Sequence, residues 1–125
     1  MYKSITLKEC RKAINWFKGR FKDTQVWEID AEVHDATPVR WELEYATSRG
    51  LLTSHWASRS ATIYLMRGRC KTDDTDMLET LFHELAHVAF IEAGIDDNQE
   101  VPWRIEYLGD SIGSVCAEAY RKRDK

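Results

Sequence analysis

Between Glu79 and Glu92 the only charged or titratable side chains are His83, Glu84 and His87. The rest of that stretch (Thr80, Leu81, Phe82, Leu85, Ala86, Val88, Ala89, Phe90 and Ile91) is uncharged. A helix apolar nearly all round must be covered on several sides, so this segment belongs in the middle of whatever fold the chain adopts. One residue turns a helix by about 100°, so positions four apart differ by about 40°. His83 and His87 therefore stack on one face, one turn apart. Two imidazoles so placed can share a tetrahedral zinc ion, and Glu84 beside them can take a proton from a water on that ion.

The chain has 125 residues, enough for one domain with a real core, and residues 1–125 read as a single unit. Five tryptophans, five tyrosines and four phenylalanines argue against disorder. The net charge of −3 does not suggest a nucleic-acid binder. Basic residues do gather at the two ends, as Lys8, Arg11, Lys12, Lys18, Arg20 and Lys22 and as Arg121, Lys122 and Arg123, and they read as solvated helix faces and a frayed tail. Cys10, Cys70 and Cys116 are widely spaced and odd in number, so they form no disulfide framework; Cys10 and Cys116 read as core fillers. With neither a signal-peptide core at the start nor a long apolar run, the expected location is the cytoplasm.

Thr6 and Glu9 form a capping box, and Leu7, Cys10, Ile14, Phe17 and Phe21 follow at helical steps, predicting a helix over 7–22. Trp27, Ile29, Ala31 and Val33 alternate with acids; after a break at Asp35 to Pro38, Val39, Trp41, Leu43 and Tyr45 alternate again. These are two half-buried strands, expected as a hairpin that Gly50 closes. Residues 51–56 give a weaker strand, 61–66 a clear one, and 67–72 a turn. Asp73, Asp74 and Asp76 suit the positive end of the central helix, which Gly94 is placed to stop near Glu92. Pro102 opens a last helix running to about Tyr120. The fold class is α+β: an N-terminal helix, an antiparallel sheet of three or four strands, the histidine-bearing helix and a C-terminal helix.

Catalytic zinc takes three protein ligands. No histidine follows His87, so the third is a carboxylate, or else His34 or His55. In the last helix Gly109, Gly113 and Ala117 make a small-residue stripe. Interior glycines cost about 1 kcal/mol each against alanine, which is reasonable if another helix approaches there. Glu106 lies in that stripe with Asp110 at i+4, a like-charge pair that a nearby cation would relieve. Glu100, before Pro102 in a loop, competes with Glu106.

His83-Glu84-Leu85-Ala86-His87 is the HExxH pattern, and after residues 88–105 comes Glu106-Tyr107-Leu108-Gly109-Asp110, an ExxxD. Together they resemble the gluzincin metallopeptidases, in particular the compact minigluzincins and the ImmA/IrrE-type and SprT-like enzymes often encoded by phages and prophages. The resemblance covers residues 60–120. It implies a zincin-like fold, zinc ligation by His83, His87 and Glu106, Glu84 as catalytic base, and Asp110 as a partner orienting a ligand histidine. It also implies hydrolysis of an extended protein or peptide substrate laid along a sheet edge, for which strand 61–66 is the candidate. The chain departs from the thermolysin type in having no downstream histidine to stabilise an oxyanion; Tyr107, Tyr120 or His55 are the substitutes. Two other expectations stand beside the protease. One is a zincin-fold binding or inhibitor protein with structural or vestigial zinc. The other is a SprT-like protease acting on DNA-bound proteins through the basic N-terminal helix.

Overall fold

The computed structural model describes residues 1–36, 48–95 and 102–123. Helix α1 spans Leu7–Arg20. Thr6 caps it as the sequence predicts: Glu9 N donates to Thr6 Oγ1 at 3.1 Å and Thr6 N to Glu9 Oε1 at 3.2 Å. It ends two residues early because Phe21 is extended (φ −112°), and a short 3₁₀ turn, Lys22–Thr24, follows.

The strands are β1 (Glu28–His34), β2 (Gly50–His55) and β3 (Ser60–Met66), in the order β1-β3-β2. β2 and β3 are antiparallel, with Leu52 opposite Ile63, but β1 runs parallel to β3, with Ala31 opposite Ile63. The sheet is therefore mixed, not antiparallel. β3 is its central strand, not an edge, which explains why Ala61, Ile63, Leu65 and Met66 are all buried. Gly50 opens a strand instead of closing one. The expected strand at Val39 to Tyr45 lies outside the described residues.

Residues Arg67–Thr72 form helix α2, not a turn. Six residues carry too little periodicity to read; here an Arg69–Asp73 pair at 2.8 Å spans one turn and Cys70 faces inward.

Helix α3 spans Met77–Glu92. Asp76 is its N-cap, accepting from Leu78 N at 3.0 Å. At the other end Gly94 takes φ +75°, Gly94 N donates to Ile91 O at 3.0 Å and Ile95 N to Phe90 O at 2.9 Å. That is a Schellman stop, and the left-handed residue it requires is why glycine stands there.

Helix α4, Pro102–Lys122, packs antiparallel to α3. It docks through its small residues: Gly109, Gly113, Cys116 and Ala117 are buried, while the larger Leu108 and Val115 are exposed. Arg121 meets the Asp76 carboxylate with its two terminal guanidinium nitrogens, Nη1 on Oδ2 and Nη2 at 2.8 Å from Oδ1, so the far ends of the two helices are tied. The core lies between sheet and helices, with Phe17 and Phe82 fully buried and Trp16 and Tyr120 packed edge-on at 5.5 Å. All three cysteines are free and buried. Among the described residues no helix is long and apolar enough to cross a membrane.

Candidate metal centre

Because α3 is buried on its Leu78, Leu81, Phe82 and Leu85 sides, its remaining face carries His83, Glu84 and His87 toward α4 and the start of β2. His87 is buried, and the His83 side chain retains only 13% of its exposure. Their Nε2 atoms stand 3.2 Å apart. Glu106 reaches across from α4: Oε2 lies 3.1 Å from His83 Nε2, and Oε1 lies 3.0 Å from His87 Nε2. Tetrahedral ligands with bonds of about 2.0–2.2 Å sit about 3.3–3.6 Å apart, so these three donors need open by only a few tenths of an ångström to hold an ion. His83, His87 and Glu106 thus form a group that can hold a metal ion.

The surroundings fit the same use. Asp110 Oδ1 is 2.8 Å from His83 Nδ1. The contact is short but off the ring N–H direction, so Nδ1 is a buried nitrogen with an ionic neighbour and no aligned acceptor. The Gly109 backbone lies flat against the His83 ring; a Cβ there would be 3.1 Å from Cε1 and Nδ1. The bare backbone lets the ring sit between the helices.

Glu84 is half-buried and lines the cleft beside the group, an opening of about 380 Å³ whose walls include Arg49, Gly50, Thr80, His83, Glu106 and Asp110. Gly50 is the residue that sequence reasoning passed over. A Cβ on it would come within 2.8 Å of Thr80 Cγ2 and 3.4 Å of Glu84 Cγ, so a side chain there would have to displace Thr80 or move β2 away from α3. The signal was a glycine at a strand end, which reads equally well as a turn. A second opening, lined by Leu51, Leu52, Ser54, Glu84, His87 and Ile91, continues along β2.

The other expected site residues are scattered. Tyr120 is buried against Trp16 and Phe82, so it is a core residue and is withdrawn as an oxyanion stabiliser. Tyr107 is on α4 one residue past Glu106 but 72% exposed. His55 is exposed at the far end of β2, and His34 ends β1 beside Glu32 at 3.2 Å, so neither joins the donor group. Glu100 lies outside the described residues. Comparison with family models, with curated proteins and with solved structures finds no match to this chain.

Proposed function

We propose that the protein is a zinc-dependent metallopeptidase of the gluzincin kind, with a zincin-like arrangement of sheet and helices. The observation that carries this reading is the meeting of His83, His87 and Glu106 within 3.2 Å of one another, with Glu84 lining the adjoining cleft. Zinc held by the three would polarise a scissile carbonyl and acidify a water to a pKa of about 7. Glu84 accepts the water's proton on its carboxylate and later delivers it to the leaving amine. Asp110, its Oδ1 2.8 Å from His83 Nδ1, would orient the His83 ring through its charge. β2, an edge among the described strands and a wall of the cleft, takes the substrate-pairing place expected of strand 61–66: an extended peptide laid along it would pass Glu84.

The supporting experiment is metal analysis by mass spectrometry on folded wild type and Glu106→Ala. About one zinc per chain, lost in the variant, is expected; a folded wild type that takes up no zinc when supplied with it would end the proposal. A binding protein with a structural ion is the second reading, and the burial of Tyr120, which removes one candidate oxyanion donor, favours it. The general base separates the two, because a purely structural site has no use for Glu84.

A further inference from the structure

The charge of this chain is divided in space. Residues 1–24 hold seven lysines and arginines against two acids, whereas the whole chain has 18 against 21. Most of the basic excess sits on α1. That helix buries Cys10, Ala13, Ile14 and Phe17 and turns Lys8, Arg11, Lys12, Asn15 and Gly19 outward, with Lys18 half-exposed beside them. One acid stands on the helix, Glu9, exposed at the flank of that face in the first turn and bonded to Thr6 in the capping box. A Cβ on Gly19 would meet nothing within 4 Å, so the face is open at its C-terminal end. Arg11 is held by Asp30 at 3.0 Å, but Lys8, Lys12 and Lys18 have no ion-pair partner among the described residues. Arg20 lies at the edge of this face, its guanidinium 4.9 Å from the Trp16 ring centroid. The carboxylates of the metal centre, Glu84, Glu106 and Asp110, lie around α3 from it: Phe82 points at α1, while His83 points at α4.

We propose that the outward face of α1 is a docking surface for the phosphate backbone of a nucleic acid. The spacing suits one. Lys8 to Lys18 spans about 15 Å at 1.5 Å per residue, and a duplex strand presents a phosphate about every 3.4 Å along its axis, so the face runs beside about four phosphates. An anionic lipid surface fits less well, because α1 spends its apolar side on the core and keeps no exposed apolar residue on this face to insert. The contact is of the backbone type, positioning without reading sequence. It stands independently of whether the metal centre is catalytic.

The test is fluorescence anisotropy of the full chain with a short duplex oligonucleotide over a salt series. Four phosphate contacts predict a log–log salt slope of about −3.6, and an affinity loss of roughly 100-fold from 50 to 200 mM salt. Lys8→Glu/Lys12→Glu/Lys18→Glu together, shown by circular dichroism to remain folded, should abolish binding. Lys71→Glu, exposed on α2, should leave it within about twofold. Absence of binding at low salt, equal binding by the triple variant, or binding to phosphatidylserine vesicles but not to the oligonucleotide would each overturn the proposal.

Discussion

The Cα of Gly113 sits against the carbonyl of Glu79, where a Cβ would lie 2.6 Å from the oxygen and 3.2 Å from the amide of His83. The obstacle is backbone, so it cannot swing aside. Gly113→Ala gains about 1 kcal/mol of helix propensity but overpacks the contact by about 1–3 kcal/mol. We expect a net loss of stability in urea unfolding. Gly19→Ala, in the open last turn of α1, should instead stabilise by about 0.5–1 kcal/mol. Equal responses at the two sites would refute the close packing of α3 on α4.

The proposed peptidase mechanism requires that Glu84→Gln retain the bound metal and lose activity. General-base catalysis contributes about 10²–10⁴-fold, so kcat on any cleaved substrate should fall by that amount while bound metal stays unchanged. Full activity in the variant would remove Glu84 from the mechanism.

Asp110→Asn should weaken metal binding about 10–100-fold, because the variant no longer orients the His83 ring through a charged oxygen. Competition against a chromophoric chelator measures this directly. Unchanged affinity would make the 2.8 Å contact incidental.

Arg121→Ala leaves the Asp76 carboxylate, 8% exposed, without its main ionic partner and should cost about 1–3 kcal/mol. Asp76→Ala should cost about 1 kcal/mol more, since it also removes the cap on Leu78 N. A double-mutant cycle with no coupling between the two would show that the pair does not tie the helices.

Burial pushes the Cys10 thiol up to about 11 from an ordinary 9.0, and Cys70 and Cys116 move the same way for the same reason. The folded chain therefore holds these protons more tightly than the unfolded one. Their contribution to stability is complete below about pH 9 and drains away toward pH 11. Unfolding midpoints should drop across that window, and a thiol reagent at neutral pH should find the three cysteines only after denaturant is added.

The parts of this molecule that were legible in the sequence are those governed by neighbours along the chain. The Thr6–Glu9 box, the apolar run from Thr80 to Ile91 and the Gly94 stop each state a local rule, and the structure follows each. Glu106 was reachable because glycines inside a helix ask for a partner, and the partner is α3. What depended on distant pairing was not legible. Nothing in Trp27 to Val33 says that β1 aligns parallel with β3, and Gly50 shows its purpose only when Thr80 and Glu84 stand opposite. Tyr120 looked like an available hydroxyl because a sequence does not show which face of α4 turns to Trp16.

The parallel pairing of Glu28 with Ser60 through His34 with Met66 also dictates an order of assembly. β1 leaves the ribosome well before the strand it must align with. β2 and β3 are joined by the short turn at 56–59 and close a small loop, whereas β1 closes a long one at greater entropic cost. The hairpin should therefore form first and template β1 afterwards. Folding-rate φ-values at Leu52 and Ile63 should exceed that at Ala31, and a chain cut after Arg59 would lack β3, the strand that joins β1 to β2 among the described residues.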